Sequence, residues 1–304
     1  MTDLRVHLDR NVTLENPVMV ASGTFGFGNE AGQLVDVNRL GGLVTKSITL
    51  EPREGHPPPR IAETPAGMLN AIGWANLGTE AFCRDKLPYL NGLRTAVFVS
   101  VAGSSQAKYA AVVEVVEQTA PKIAGYEINI SCPHVAKGGM EFGISPEQTE
   151  KLTRRLRAVT ERYLIIKLSP NVTDIGVIAQ AAEAGGADAV SAINTVVGMD
   201  LDPATGKFKV HAGLCGLSGP AIRPIALANV YKVAKAVSIP VIGIGGIMSV
   251  EDVVRFIRVG AWAVQVGTAN YRDPRTGVDL ANKLPAYLES IGATGLEKIR
   301  GTAH

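Results

Sequence analysis

Short runs of β-branched and other apolar residues recur along the whole chain. Eight of these runs lie at 17–23, 41–49, 95–103, 125–131, 163–170, 187–195, 239–246 and 262–269. They are nearly continuous rather than alternating, which is typical of parallel strands that are covered by helices. Segments with a helical period lie between most of them, at 106–119, 145–162, 174–184, 220–237 and 249–259. The pattern therefore predicts repeated strand–helix units.

Two of the predicted helices carry start signals. Ser145 stands before Pro146 and three residues before Gln148, which is the arrangement of a capping box with proline at the first helical position. Ser249, before "VEDVVRF", gives a weaker version of the same signal. We therefore expect helices to begin directly after these two serines.

Eight strands in alternation with helices favour a (β/α)₈ TIM barrel. An open doubly wound sheet fits less well, because no GxGxxG follows the first strand and the composition does not shift along the chain. The opening "LRVHLDRNVTLENP" alternates like a short N-terminal β-hairpin that would close the bottom of the barrel. Segment 50–94 has no barrel strand and is expected to cross one face as a functional excursion. Because no Ser/Gly-rich linker interrupts it, 1–304 is predicted to be a single domain.

Composition and charge exclude several classes of protein. The net charge is +2, with acidic and basic residues interspersed, so nothing favours a nucleic acid or a membrane surface as partner. No apolar run approaches the roughly 20 residues of a membrane span, and the charged N-terminus does not resemble a signal peptide. Three cysteines without CxxC spacing predict neither a disulfide framework nor a metal site, and favour a reducing cytoplasm.

Polar residues gather where the predicted strands end, and barrel enzymes place their chemistry at this end. These residues are Ala21-Ser22-Gly23, Lys46-Ser47, Ser100, Asn129 and Cys132, Lys167, Asn194-Thr195, Gly245-Gly246 and Gly267-Thr268. A single serine or threonine at such a place is more often a helix cap than a ligand. Lys167 is different, because a barrel strand covered on both faces gives a lysine no solvent to reach. We therefore interpret Lys167 as functional.

Two glycine clusters at consecutive strand ends predict a phosphate site. They are "GIGGI" at 243–247 and "VGTAN" at 266–270, and glycine lets backbone amides approach an anion closely. With Lys46 and Lys167 in the same barrel mouth, the phosphate would belong to a cofactor. Pyridoxal phosphate could use Lys167 as a Schiff base, whereas flavin mononucleotide needs a cation beside its reducible ring. The two lysines and several amide side chains favour the flavin.

Nine motifs in this order resemble class 1 dihydroorotate dehydrogenase, most closely the catalytic subunit of its B-type, NAD-linked form. They are "ASGTFGFG" (21–28), "TKSIT" (45–49), "GMLNAIGWAN" (67–76), "NISCPHVAKGG" (129–139), "IKLSPNV" (166–172), "INTVVGM" (193–199), "GLSGPAIRP" (216–224), "GIGGI" (243–247) and "VGTAN" (266–270). The resemblance extends over essentially the whole chain. It implies oxidation of dihydroorotate to orotate in pyrimidine (UMP) biosynthesis.

The resemblance also implies roles for individual residues. Cys132 matches the base that takes the C5 proton while hydride passes from C6 to FMN, and the loop from Pro133 to about Phe142 would close over the substrate. Flavin contacts are implied for Ala21, Ser22, Lys46, Ser47, Ser100, Asn129, Lys167, Ile193, Gly219, Gly245, Gly246, Gly267 and Thr268. Substrate contacts are implied for Lys46, Asn70, Ala71, Ile72, Gly73, Trp74, Asn129, Asn194 and Thr195. The chain departs from the family pattern at Ser100 and His134, where asparagine is usual, and at Trp74, where leucine is usual.

The B-type resemblance further implies a partner. Electrons would reach NAD through a second subunit that carries FAD and an iron–sulfur cluster, and a homodimer of this chain would join two copies of it in a heterotetramer. Two alternatives stay open at this point: a related flavin barrel with another pyrimidine or ene substrate, and a lysine-dependent lyase that uses Lys167.

Overall fold

A closed ring of parallel strands forms the centre of the computed structural model, which describes residues 3–131 and 142–303. The strands of the described chain, inside and outside this ring, are β1 (Val6–His7), β2 (Thr13–Leu14), β3 (Val18–Val20), β4 (Gly42–Val44), β5 (Ile61–Thr64), β6 (Gly67–Asn70), β7 (Ala96–Val101), β8 (Gly125–Asn129), β9 (Tyr163–Leu168), β10 (Ala189–Ala192), β11 (Val196–Gly198), β12 (Cys215–Ser218), β13 (Val241–Ile244) and β14 (Ala263–Val266). Its helices are α1 (Thr79–Asp85), α2 (Leu87–Leu90), α3 (Gln106–Glu117), α4 (Pro146–Arg157), α5 (Ile175–Ala184), α6 (Arg223–Ala236), α7 (Val250–Arg258), α8 (Ala269–Arg272) and α9 (Thr276–Ser290). Short 3₁₀ turns lie at Val37–Arg39, Phe142–Ile144, Pro220–Ile222 and Leu296–Lys298.

The barrel strands follow one another in the order β3, β4, β7, β8, β9, β10, β13, β14, and β14 pairs with β3 to close the ring. Each of the eight predicted runs contains one of these strands, so the TIM-barrel prediction is confirmed and the open sheet is wrong. All six residues of β9 are buried, because its two faces pack against the barrel interior and the surrounding helices. The near-continuous apolar runs follow from this double burial.

The five predicted helices are α3 to α7. Ser145 accepts a hydrogen bond from the backbone N–H of Gln148, at 3.3 Å, as an N-cap should. The side-chain oxygen of Gln148 accepts instead from Gln106 on the neighbouring α3, so the reciprocal half of the predicted capping box is missing there. Ser249 and Asp252 form both halves of a capping box at α7. Within 3–131 and 142–303, no helix combines the length and the apolar character that crossing a membrane requires.

The predicted N-terminal hairpin is present as the antiparallel pair β1–β2. Arg10, in its turn, donates to the carboxylate of Asp188 at 2.6 Å and contacts Glu161 at 3.3 Å. Asp188 stands directly before β10 and Glu161 shortly before β9, so the hairpin lies across the N-terminal ends of the barrel strands. The bottom of the barrel is closed in this way, and the opposite end remains for chemistry.

Two excursions build a second, antiparallel sheet with the strand order β11, β12, β6, β5. Strands β5 and β6 come from the predicted excursion 50–94, and β11 and β12 leave the barrel after β10. A small separate core supports this sheet, formed by Leu69, Ala71, Val210 and Cys215. Because β11 begins only four residues after β10 ends, the sheet lies at the C-terminal end of the barrel strands, which we call the mouth.

Candidate active site

Three serines from adjacent strand ends lie in a row on one side of the mouth. The Oγ atoms of Ser22 and Ser47 are 3.3 Å apart, and those of Ser47 and Ser100 are 2.8 Å apart. Ser100 is fully buried, and its backbone N–H donates to the hydroxyl of Thr45. This serine row, predicted to contact the flavin, offers hydroxyls that can donate or accept. At position 100, where the resemblance makes asparagine usual, this chain thus has a shorter side chain that is hydrogen-bonded to Ser47.

Lys46 stands at the end of β4 and is half-buried. Its backbone N–H donates to the carbonyl of Gly26 at 2.8 Å, which fixes the start of the side chain. Burial lowers the pKa of Lys46, the nearby guanidinium of Arg60 lowers it further, and Glu30 opposes these effects. Arg60 itself donates to the carbonyls of His56 and Glu54, at 2.5 and 2.9 Å. Two cationic side chains therefore converge here, which suits an anionic substrate group.

Lys167 lies inside the barrel and is only 6% exposed. Its Nζ is 3.5 Å from Oε1 of Glu127, a residue of β8 with no exposed surface. The other carboxylate oxygen of Glu127 accepts from Ser191 on β10 at 3.0 Å and from Gln265 on β14 at 2.6 Å. We call these four side chains the buried network. The ammonium group of Lys167 is thus held inside the barrel, as expected for a lysine on a strand that is covered on both faces.

Asparagine side chains occupy the neighbouring strand ends. Asn129 is paired in register with Lys167, and its side-chain oxygen accepts from Asn194 and from the backbone of Ser131, each at 3.2 Å. The side-chain oxygen of Asn194 accepts in turn from the backbone N–H of Thr195 at 2.8 Å. The structure therefore joins three of the predicted substrate residues into one hydrogen-bonded group.

The antiparallel sheet adds the remaining predicted substrate residues. Asn70, at the end of β6, donates to the carbonyl of Gly216 at 3.2 Å. A Cβ on Gly216 would lie 2.2 Å from the hydroxyl of Thr195, so only glycine lets these two segments approach. The chain continues through Ala71 and Ile72 to Gly73 and Trp74, both with positive φ, and the guanidinium of Arg53 lies 5.4 Å from the centre of the Trp74 ring. Asn70 and Thr195, 125 residues apart in sequence, thus flank one glycine.

Four glycines and a threonine from three segments form a group at the mouth that we call the cradle: Gly219, Gly245, Gly246, Gly267 and Thr268. A Cβ on Gly246 would lie 2.9 Å from the carbonyl of Gly219, and one on Gly245 would lie 3.7 Å from Ile193. A Cβ on Gly267 would lie 3.7 Å from that of Ala21, and Thr268 donates to Ser218 at 2.8 Å.

The backbone amides of the cradle suit an anion. Among the residues that the structure describes, no group accepts a hydrogen bond from the backbone N–H of Gly246, Gly267 or Thr268. Backbone amides without acceptors, at the ends of β13 and β14, are available to bind a phosphate group. The cradle therefore fits the predicted phosphate.

Cys132, His134 and most of the predicted lid lie outside the described residues. The two other cysteines are Cys83 on α1 and Cys215 in the small core of the sheet, and burial raises the pKa of both thiols. A raised pKa leaves less of the reactive thiolate, so neither is a good base or nucleophile. In the described part of the chain, no three His, Cys, Asp or Glu side chains are grouped to hold a metal ion.

A family model described as dihydroorotate dehydrogenase matches residues 6–288. This chain belongs to the dihydroorotate dehydrogenase family. A relative from Thermoanaerobacter sp. (strain X514), named dihydroorotate dehydrogenase B (NAD(+)), catalytic subunit, is 47% identical over 95% of each chain. Another, from Solibacter usitatus, is 48% identical over 96% of this chain and 95% of its own, and its provisional name is dihydroorotate dehydrogenase A (fumarate). The crystal structure of the Eimeria tenella enzyme with ferulenol shares the fold, with a TM-score of 0.83 at 21% identity, over 99% of this chain and 89% of that chain.

Membership of the family implies a flavin cofactor, and the mouth fits one: the cradle suits its phosphate, and the serine row and Lys167 suit its polar ring. Three residues of the buried network were missed by the sequence reasoning, namely Glu127, Ser191 and Gln265. Their signal was a polar or charged residue inside an otherwise apolar barrel run, as in "GYEINIS" and "WAVQVGTA".

Proposed function

We propose that this chain oxidises (S)-dihydroorotate to orotate in de novo pyrimidine biosynthesis, with FMN as its resident flavin in a single barrel domain. The observation that carries the proposal is the joining of two polar surfaces at the mouth. One belongs mainly to the barrel and consists of the serine row, Lys167 and the cradle, of which only Gly219 follows a strand of the antiparallel sheet. The other comes from the antiparallel sheet, where Asn70 and Thr195 meet across Gly216. Family membership agrees with this arrangement.

The proposed mechanism gives each side chain a separate task. Lys46 binds the substrate carboxylate, and Asn70, Asn129, Asn194 and Thr195 bind the polar edges of the pyrimidine ring by complementary donors and acceptors. Residues 71–74 add backbone contacts. FMN, when bound, supplies a hydride acceptor for C6 of the substrate.

Cys132 takes the C5 proton in this proposal. A thiol near its usual pKa of about 8.5 is already close to the working pH that a general base needs. The loop that follows Cys132 excludes water while the proton moves.

We infer that the electron acceptor is NAD, reached through a partner subunit with FAD and an iron–sulfur cluster. The B-type name of the Thermoanaerobacter relative supports this, and three cysteines are too few for the four-cysteine ligand set of a cluster. The expected assembly is a homodimer of this chain with two partner subunits, in the cytoplasm. The name of the Solibacter relative makes fumarate the alternative acceptor.

The test uses the purified chain and two substrates. A yellow protein whose flavin absorbance is bleached by dihydroorotate under anaerobic conditions supports the proposal. Dihydrouracil, which has the same ring without the carboxylate, is the matched control and should bleach the flavin far more slowly, because Lys46 then has no anion to bind. Equal rates would favour a related flavin barrel. A colourless protein that borohydride traps with a carbonyl substrate would favour the Lys167 lyase instead.

A further inference from the structure

The buried network contains a carboxylate that the proposed reaction leaves without a task. Glu127 has no exposed surface, and it lies two residues before Asn129 on the same face of β8. Ser191 and Gln265 bind one of its oxygens, Oε2, from two other strands. Glu127 is therefore fixed from two other strands of the barrel interior.

A fixed carboxylate at this depth needs a reason, because burial of a charge is costly unless it is paired. Its Oε1 accepts no hydrogen bond from the described residues, and its nearest cation there is the Nζ of Lys167 at 3.5 Å. Ser191 and Gln265 are neutral, as is Ser100, which is paired in register with Glu127 on β7. Within the described barrel interior, the charge of Glu127 is thus balanced by Lys167.

We propose that Glu127 is a positioning residue that holds the ammonium group of Lys167 at the flavin ring and thereby sets the reduction potential of the flavin. The inference rests on the proposed function, since it requires a flavin in the mouth. Two strands fix the carboxylate through Oε2, and Oε1 remains directed to Lys167. The lysine side chain, long and flexible by itself, then has one favourable place for its charge.

Two opposing effects of Glu127 decide whether its loss raises or lowers the reduction potential of the flavin. Its own negative charge disfavours the extra negative charge of the reduced flavin, whereas its hold on the ammonium group favours it. Lys167 extends from the strand position paired with Asn129, which is nearer the mouth than Glu127. The ammonium therefore acts on the flavin from the shorter distance, and its effect dominates. Without the carboxylate, a buried and unpaired ammonium would leave its place or give up its proton.

The test compares the reduction potential of the bound flavin in the intact holoenzyme and in Glu127→Gln, which keeps the shape and removes the charge. The ratio of affinities for reduced and oxidised flavin should fall tenfold or more, a drop of about 30 mV for a two-electron couple. Glu117→Gln is the matched control. Glu117 pairs with Arg162 at 3.1 Å, close to the N-terminal ends of β8 and β9, so its loss should leave the potential unchanged.

A double-variant cycle separates positioning from packing. Lys167→Met should lower the potential. Adding Glu127→Gln to it should then leave the potential unchanged or raise it slightly, because the hold on the ammonium group is already lost and only the carboxylate's own negative charge is removed. If Glu127→Gln does not fold, Glu127→Asp keeps the charge one methylene further away and should show a smaller drop in the same direction. An unchanged or raised potential in a flavin-loaded single variant of Glu127, or an equal drop in both backgrounds, would overturn the inference alone. A chain that binds no FMN would overturn the proposed function, and the inference with it.

Discussion

Replacement of Lys46 by methionine tests the proposed contact with the substrate carboxylate. Methionine keeps most of the length and the apolar stem and removes the charge. The backbone hydrogen bond from residue 46 to Gly26 remains, so the strand end should not move. Arg60 cannot easily take over, because its guanidinium is bound to the carbonyls of His56 and Glu54. The carboxylate of orotate would therefore lose its principal cation.

The expected loss follows from the kind of bond that is removed. A hydrogen bond to a charged group contributes roughly 1.5–3 kcal/mol, and each 1.4 kcal/mol is about tenfold in affinity. Orotate affinity should fall about 10- to 150-fold. The lower part of that range is expected, because Lys46 is only half-buried and water screens its charge.

The lowered pKa of Lys46 also predicts how orotate binding should depend on pH. Burial and Arg60 lower this pKa from its usual value of 10.5. Only the charged amine binds the carboxylate, so orotate affinity is complete below the lowered pKa and is lost as the pH rises through it. In wild type this loss should begin at a lower pH than an ordinary lysine would give, and Lys46→Met should not show it.

The assay is a titration of the flavin-loaded protein with orotate, followed by the flavin absorbance from neutral to alkaline pH. Lys108→Met is the control, since Lys108 is a partly exposed lysine whose ammonium pairs with Glu51 at 2.9 Å. Wild-type affinity in Lys46→Met would refute the carboxylate contact. An unchanged pH profile in that variant would assign the pH dependence to another group.

Three further expectations concern the base, the cradle and the partner. Cys132→Ser should keep flavin and orotate but lose roughly 10²–10⁴-fold in flavin reduction at neutral pH, with a residual rate that keeps rising at alkaline pH; a wild-type rate and profile would remove Cys132 from the role. Gly246→Ala should weaken FMN binding, measured by titration of the apoprotein, because its Cβ would lie 2.7 Å from that of Arg223 at a φ of +72°. Gly206→Ala is its control, with a φ of +67° and no neighbour within 4 Å, and an equal loss there would mean that backbone strain alone is responsible. The chain alone should not reduce NAD with dihydroorotate at full rate, and full activity without a second subunit would contradict the partner.

The barrel could be predicted from the sequence because each of its strands is buried on both faces and therefore reads as a continuous apolar run. The antiparallel sheet could not be predicted from the sequence. Its strands have three or four residues of mixed burial, and β6 pairs with β12 across nearly 150 residues, a distance over which no local pattern gives information. Helix α9 is hidden by Pro285 in its interior, which normally indicates the end of a helix, and by the lack of a side-chain cap.

The site was predictable to a similar extent. Glycine, lysine and asparagine at strand ends could be read directly, since the barrel places all strand ends at one mouth. The position of Thr195 against Gly216 could not, because it depends on the antiparallel sheet. Glu127 was overlooked because a single acid in an apolar run is easily taken for a solvated residue, although it lies on the same strand face as Asn129.

The separate origin of the antiparallel sheet has consequences for how such enzymes diverge. Barrel strands supply the buried network and all of the cradle except Gly219, which follows β12, whereas inserted segments supply Asn70 and its neighbours. Substitutions in the insertions can therefore alter which ring is accepted while the cofactor stays bound, and selection can act on the two properties independently. Gly216 is an exception, since any side chain there would push apart the insertion and the strand end that carries Thr195. We expect that position to change last when a descendant of this protein acquires a new substrate.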